Sequence, residues 1–502
     1  MEELTKEQRQ IIEEEIKKEI KKADTFLKPE SINKIIQDII GNIKGNFKYP
    51  KNLEEILSSI PQKVYVSLGK EEIKQILKLD FCCFVDNVFY IDFAPKIEPY
   101  EHNQNKTAIE EQRIIQCSYD DLLYLFKTYP LIFNHCIFDY KIDKKTPIEQ
   151  IKKLSFLNCN FKKEIYLHFQ ECLDIFQMDN CVFEDRVTIK GKFNDNVYFN
   201  NSIFKNYANF HTCEFEKTAS FYGVRFDKAP NFSQAIFKGN LNAVNANLNF
   251  TFDDLQERIK QEYEDFNKNI ENKKSLDKFA NDFRDSFRTF KSSLIKDNNA
   301  LDASNFHKYE LYCKELELKN KKGKTFKDVV DRWQLLFYRK LCDHHTDILQ
   351  SLNSLILVIG IFVISSVEMV VGFNYSLGYK PILEHWYFSL DFYNHHINSI
   401  IQDDYLLMIF VNLMILFIYL GLVGFALCLK YMREFFIIIS YAITLSVLVV
   451  SPKILIPAMG FFTDKRAILD PLSAIGGIYT IVFGFVVFSF IKTIRKNSIV
   501  PS

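Results

Sequence analysis

The chain has no charge to spare in either direction. Lysine and arginine number 63, as do aspartate and glutamate, across 502 residues. The molecule as a whole therefore carries no field that would gather nucleic acid or polycations. The opening "MEELTKEQRQIIEEEIKKEIKK" is charged throughout and has no apolar core. That excludes a secretory leader there and places the N-terminal part, by expectation, in the cytoplasm. The eleven cysteines include no Cys-x-x-Cys pair and no regular spacing with histidine, which excludes a zinc site or disulfide framework of recognisable spacing. Gly323-Lys324-Thr325 echoes a phosphate loop, but Leu318 stands where the motif needs its first glycine, so that reading is discarded. No Ser/His/Asp, paired-carboxylate or cofactor motif stands out. The sequence offers no case for an enzyme, a cofactor or a bound metal.

What is present is apolar and unevenly distributed. Residues 1–130 read as a mixed α/β region. A helix over about 1–25 carries the stripe Ile12, Ile16, Ile20, with Glu13–Lys17 and Glu14–Lys18 at supporting spacing. The polar run Glu98–Lys106 reads as a loop. Residues 253–349 read as a helical bundle, a basic linker and a juxtamembrane helix. Leu255, Ile259, Tyr263, Phe266 and Ile270 make one helical face; Leu276, Phe279, Phe283, Phe287, Phe290 and Leu294 a second; Phe306, Tyr309, Cys313 and Leu316 a third. After the linker "KNKKGK" (319–324), Val329, Val330, Trp333, Leu336 and Phe337 oppose Lys327, Arg332, Arg339 and Lys340. An amphipathic basic helix of this kind suits an anionic membrane leaflet.

Between 131 and 252 the pattern has neither a helical nor a strand period. Positions 199, 204, 210, 215, 221, 226, 232 and 237 are all phenylalanine, stepping five and six in alternation. Two residues before each stands an uncharged residue: Val197, Ser202, Ala208, Cys213, Ala219, Val224, Pro230 and Ala235. Phe193 precedes the run by six. Earlier, Phe156, Phe161, Leu167, Cys172, Met178, Phe183 and Ile189 keep the same steps. Gln170 fits the small position poorly, and one residue is missing before Phe193. Phe133 and Phe138 form an isolated first pair ahead of an insertion at 139–152. A chain that turns a corner every five or six residues gives this pattern. Four such sides make a coil of 22, stacking Phe199 under Phe221, Phe204 under Phe226, Phe210 under Phe232 and Phe215 under Phe237, each coil rising about 4.8 Å. Cys159, Cys181 and Cys213 fall at the small inward position and read as core.

The stretch resembles the pentapeptide-repeat proteins, closest to the Phe-rich variety that alternates five and six. The resemblance covers about 153–250 strongly and 131–138 weakly. It implies a right-handed quadrilateral parallel β-helix and lends no specific function. The segment 285–318 with the apolar tail also resembles membrane-anchored bacterial members of that family. Some soluble members mimic DNA with an acidic face. Here residues 153–250 hold eleven Lys/Arg and ten Asp/Glu, which argues against it.

Residues 350–502 read as a transmembrane domain with four helices at about 352–373, 405–429, 434–451 and 473–491, each near the roughly 20 residues that cross the hydrocarbon. Arg339 and Lys340, Lys430 and Arg433, then Lys492, Arg495 and Lys496 flank the expected inner side, while the loop 374–404 has only Lys380; Lys453, Lys465 and Arg466 dilute the signal. Both termini are expected inside a bacterial inner membrane. Ser376-Leu377-Gly378-Tyr379 suggests an ion filter but lacks its second glycine. Glu368 is the one acid within a span, and Asn412 could bond to it across helices. The pairs His344–His345 and His395–His396 read as interfacial polar side chains. The combined reading is a multidomain, membrane-anchored scaffold or adaptor that binds an unidentified protein partner, with a homo-oligomer left open as its assembly. The alternative is an oligomeric channel or transporter.

Overall fold

A computed structural model describes residues 5–23, 25, 27–45, 53–93, 114–115, 117–143, 147–268, 274–379, 386–428, 430–450 and 470–498. The Glu98–Lys106 loop, Ile270, Lys380, Lys453, Lys465 and Arg466 lie outside these. The chain divides into two compact units, Met1–Cys313 and Lys314–Ser502.

In the first unit three helices, Lys6–Lys22, Pro29–Gly45 and Leu53–Leu77, come together around isoleucine. Ile12, Ile16 and Ile20 are buried against Ile36, Ile40, Ile60 and Val64. The first helix starts on a capping box from Thr5 and Gln8. Its surface carries the Glu13–Lys17 pair at 2.8 Å, whereas Lys18 pairs with Glu15 at 2.9 Å.

The centre of this unit is a parallel β-solenoid of about five turns. Each complete coil places four short strands, as at Val197–Tyr198, Ile203–Phe204, Ala208–Asn209 and Glu214–Phe215. Every strand pairs in parallel with its counterpart one coil on, for example Val197 with Ala219 and Phe215 with Phe237. The phenylalanines stack as rings. Phe199–Phe221, Phe204–Phe226, Phe210–Phe232 and Phe215–Phe237 lie 5.1, 5.1, 4.8 and 4.7 Å apart. One column runs unbroken through Phe138, Phe161, Phe183, Phe204 and Phe226.

The corners explain the alternation of five and six. In each five-residue step the residue after next has positive φ: Asn201 (54°), Thr212 (63°), Gly223 (64°) and Gln234 (57°). The amide one further on bonds back to the carbonyl three before it, as Ser202 to Phe199 (3.3 Å), Cys213 to Phe210 (3.2 Å) and Ala235 to Phe232 (3.1 Å). That is the geometry of a type II turn, which favours Gly or Asn at its third position. Asn158, Asn180 and Asn245 hold the same corner in other coils. The six-residue steps open into a wider corner, so tight and wide corners alternate around the coil.

Two irregularities of the sequence grid have one cause. Gln170 is exposed, and the neighbouring Phe169 takes the inward place. In the next coil the register slips between Lys190 and Lys192, at Gly191. A Cβ at Gly191 would lie 2.4 Å from the Phe169 carbonyl oxygen and 2.5 Å from its ring. The residue missing from the grid is the space that Phe169 fills.

The expected insertion at 139–152 carries strands of the solenoid. Ile142 pairs with Ile165, Ile148 with Phe169 and Ile151 with Cys172, and Phe133 stacks on Phe156 at 5.2 Å. From Ile142 to Ile148 the chain is two residues longer than from Ile165 to Phe169. The coil is therefore present with two extra residues, and inward isoleucine at 142 and 151 in place of phenylalanine hides the step. The sheet also continues back to Val88–Asp92, where Ile91 pairs with Phe133. A hairpin closes that edge by pairing Cys83–Val85 antiparallel to Val88–Asp92. Its turn residues Asp86 and Asn87 both have positive φ, as the favoured hairpin turn requires.

Helices Phe252–Asn267, Leu276–Lys296 and Ala300–Asn320 follow the last coil. Phe290 covers the exposed rings, 4.7 Å from Phe232 and 5.7 Å from Phe221. Ser286 accepts the Phe232 amide at 3.1 Å, and the Tyr309 hydroxyl donates to the Phe250 carbonyl at 3.0 Å. Some of the backbone groups that a further coil would have bonded are thus satisfied, while the last strand Ile236–Phe237 stays largely exposed.

In the second unit, helix Phe326–Cys342 leads to Ile348–Ser376, Trp386–Asp403, Tyr405–Cys428, Lys430–Val450 and Pro471–Ser498. Three helices among the described residues, Ile348–Ser376, Tyr405–Leu427 and Pro471–Arg495, are long and apolar enough to cross a membrane. The expected third span coincides with helix Lys430–Val450.

Candidate functional surface and intramembrane residues

The nine ladder phenylalanines are structural. Phe193, Phe199, Phe204, Phe210, Phe215, Phe221, Phe226 and Phe232 are buried, and Phe237, on the last coil, is half-buried. The small residues two before them complete the core: Val197, Ser202, Ala208, Cys213, Ala219 and Val224 are all buried. Several of these also reach a carbonyl of the adjoining coil. The Cys213 thiol donates to the Ile189 carbonyl at 3.1 Å, Cys181 to Phe156 at 3.4 Å, and the Ser202 hydroxyl to Met178 at 2.6 Å. A small polar side chain there satisfies a buried acceptor that alanine would leave to its neighbours. Burial pushes the Cys172 and Cys213 thiols up to about 12, so neither carries the thiolate a nucleophile needs.

What the solenoid offers outward is polar and internally balanced. Lys217 reaches Asp195 at 2.9 Å, Lys238 reaches Glu216 at 2.7 Å and Lys205 reaches Glu184 at 3.5 Å. Each pair links one coil to the next, and the hydrogen bond from Lys217 holds the Asp195 carboxyl below its usual range. Leu173 and Ile236, beside the same sheet as Lys217–Asp195 and Lys238–Glu216, are exposed apolar side chains, as is Tyr222 beside another sheet. Tyr207 is the exception on the flank: it is buried, with the Arg258 guanidinium 3.4 Å over its ring. That contact ties helix Phe252–Asn267 to the coils, and Arg258 also pairs with Glu262 one turn on in the same helix.

A second buried cluster joins the capping helices. Burial works against the charge of Glu310, but hydrogen bonds from His307, Lys291 and Arg288 outweigh it and hold the carboxyl down to about 2. In the N-terminal region buried Glu72 accepts from the Tyr129 hydroxyl at 2.6 Å and the Tyr124 hydroxyl at 3.1 Å. No group of three or more His, Cys, Asp or Glu among the described residues could hold a metal ion.

The second unit buries an apolar core that includes Leu357, Val358, Tyr419 and Tyr479, encloses small polar side chains beside it, and leaves many other apolar side chains exposed. Ser351, Ser354, Ser440, Ser489 and Thr493 are buried, while Leu406, Phe410, Phe417, Ile438, Ile481 and Phe488 are exposed. Arg339 forms a two-pronged pair with buried Glu315, at 2.8 and 2.9 Å. Gln350, in the first turn of Ile348–Ser376, donates to the Arg339 and Lys340 carbonyls at 2.7 and 2.9 Å. Between these helices Asp343, His344 and His345 form a left-handed turn, with φ of 47, 55 and 67°. Three such residues in a row cost roughly 1–2 kcal/mol each, so the corner is held by its surroundings. His345 lies 3.3 Å from the Thr493 hydroxyl and 3.4 Å from the Cys342 sulfur. The pair His395–His396 lies on Trp386–Asp403, with the His396 ring against Phe392 at 4.1 Å.

The structure does not join the two intramembrane candidates. Glu368 is exposed and makes no hydrogen bond or ion pair among the described residues, while Asn412 is half-buried. A buried acid stands elsewhere: Asp470 accepts from the Tyr393 hydroxyl at 3.1 Å and caps Pro471–Ser498 through the Leu472 and Ser473 amides at 3.2 Å. It escaped sequence reading because it precedes its helix rather than lying inside it. Neither a family model, nor a curated protein, nor a solved structure matches the chain.

Proposed function

We propose that the protein is a membrane-anchored scaffold or adaptor whose β-solenoid binds another protein through its lateral face. One observation carries the reading. The solenoid has a filled aromatic core, so its long polar outside, with exposed Leu173 and Ile236 beside the pairs Lys217–Asp195 and Lys238–Glu216, is the extended surface it offers. In this reading the solenoid is a right-handed quadrilateral β-helix of the pentapeptide-repeat kind. The type II corners and the ring columns support that assignment.

The anchor has four spans in this reading, with both termini on the cytoplasmic side of a bacterial inner membrane. Support for the fourth span comes from packing. A Cβ at Gly360, well inside Ile348–Ser376, would meet Ser440 Oγ at 2.3 Å and Cβ at 2.5 Å, and the Tyr441 hydroxyl donates to Asn353 at 3.0 Å. Close approach at small residues is how membrane helices associate, and it sets Lys430–Val450 alongside the first span. Residues 1–320 immobilised as bait should retain a partner, and Lys205, Lys217 and Lys238 replaced together by glutamate should release it. A bare bait, or retention unchanged by the variant, counts against the scaffold.

The rival reading, an oligomeric channel or transporter, draws on Glu368, an acid exposed on a span and free of any partner among the described residues. Reconstituted protein would then pass ions, and Glu368→Gln would abolish the flux. No flux in the parent protein ends that reading.

A further inference from the structure

Helix Phe326–Cys342 carries an apolar face that no described residue covers. Phe326, Val329, Val330 and Trp333 follow the spacing of a single helical stripe, and all four are exposed, Phe326 by 84% and Trp333 by 63%. Farther along the same helix the apolar side chains behave differently. Leu341 and Cys342 are buried, and Phe337 and Tyr338 pack against the core formed by the spans. The helix is therefore fixed at its C-terminal end and bare at its N-terminal end.

The charge around the bare end is one-sided. From Lys319 to Trp333 the chain holds six lysines or arginines and two aspartates. One of the two, Asp328, is already occupied. It closes the capping box with Thr325 and pairs with Lys321 at 2.9 Å. Lys322 and Lys327 are exposed and pair with no carboxylate among the described residues. Lys324 is exposed and donates to the Lys319 carbonyl.

We propose that this stripe docks on the anionic headgroup surface of the bilayer, lying in the interface beside the first span. The position in the chain favours lipid over protein as the occupant. The helix ends at Cys342, and the span begins at Ile348, so the stripe is tethered within a few turns of a membrane crossing. An apolar stripe with a tryptophan, bordered by unpaired cations, is the composition that partitions into an anionic interface. The inference rests on the reading of Ile348–Ser376 as a membrane span.

The test uses the intact chain. Its only tryptophans are Trp333 and Trp386, so Trp386→Phe leaves Trp333 as a single reporter. The variant is reconstituted into vesicles of phosphatidylcholine alone or with phosphatidylglycerol. With anionic lipid, Trp333 emission should shift to the blue, resist aqueous acrylamide and be quenched by lipids brominated near the glycerol. Lys322, Lys324 and Lys327 replaced by glutamine should shift the docked population about 100-fold toward the exposed form. Trp333 equally open to acrylamide in both lipids would overturn the proposal. So would Trp333 shielded from acrylamide yet untouched by brominated lipid, since a second copy or another protein then covers the stripe. Failure to float with the vesicles would instead refute the span itself.

Discussion

The two units treat apolar surface differently. In the solenoid, phenylalanine fills the interior and lysine, glutamate and asparagine face out. The helical unit also has an apolar core, around Leu357, Val358 and Tyr479, but it encloses serine, threonine and a glutamate–arginine pair as well and leaves leucine, phenylalanine and isoleucine exposed on its outside. The first arrangement lowers its energy by removing apolar surface from water. The second leaves much of its outer apolar surface bare, in keeping with three helices among the described residues that are long and apolar enough to cross a membrane. A polar inward residue is therefore a local device in the solenoid, answering one carbonyl at a corner, and a major holding element between the helices.

The contrast can be broken at the aromatic columns. Phe215→Asp loses a stacked ring and leaves a carboxylate in a dry core. Truncating a buried phenylalanine alone costs about 3–5 kcal/mol, so the solenoid should unfold, seen as lost protease resistance of the first unit. Arg339→Met tests the other side. It strands buried Glu315, and the loss of about 3–5 kcal/mol should appear as a lowered melting temperature in detergent. Restoring Arg339 while changing exposed Leu413 to alanine should leave that temperature near the parent value.

Acid sharpens the comparison within the first unit. The Glu310 carboxyl is held down to about 2, below its unfolded value. Its contribution is therefore complete above the ordinary carboxylate range and fades as pH falls toward about 2. Protection of the Leu276–Lys296 amides against hydrogen exchange, taken relative to the intrinsic rate at each pH, should fall across that window, and Glu310→Gln should flatten the dependence. The smallest effect belongs to the flank. Lys217→Gln removes one exposed pair with Asp195 and should cost under about 1 kcal/mol, within the scatter of a thermal melt.

The legibility of the fold varied with the residue at each inward site. From Phe193 to Phe237 every inward step is phenylalanine, and the grid could be read directly. Between Phe138 and Phe161 the inward residues include Ile142 and Ile151, and two extra residues lengthen one side, so paired strands looked like an insertion alone. Phe169 and Gly191 compensate each other across coils, a relation that no linear spacing reveals. The ends of the stack were hidden for a related reason. Ile91 joins the ladder from a short hairpin, and Phe290 caps it from a helix whose periodicity showed an apolar face but not its target. Among the membrane helices, apolar length was plain in the sequence. The Gly360–Ser440 contact was not, because one small residue in a long apolar run leaves no periodic trace. Glu368 drew notice as an acid within a span, yet the buried carboxylate is Asp470.

The central claim is that the flank of the solenoid is the working surface of a membrane-held scaffold. A photoreactive side chain placed at Lys205, Lys217 or Lys238 of the full-length protein in its native membrane tests it most directly. The account predicts a discrete cross-linked partner from at least one of these sites, and none from a probe at the buried end position Phe290. No adduct from any flank position, together with ion flux from the purified protein that Glu368→Gln abolishes, would contradict it.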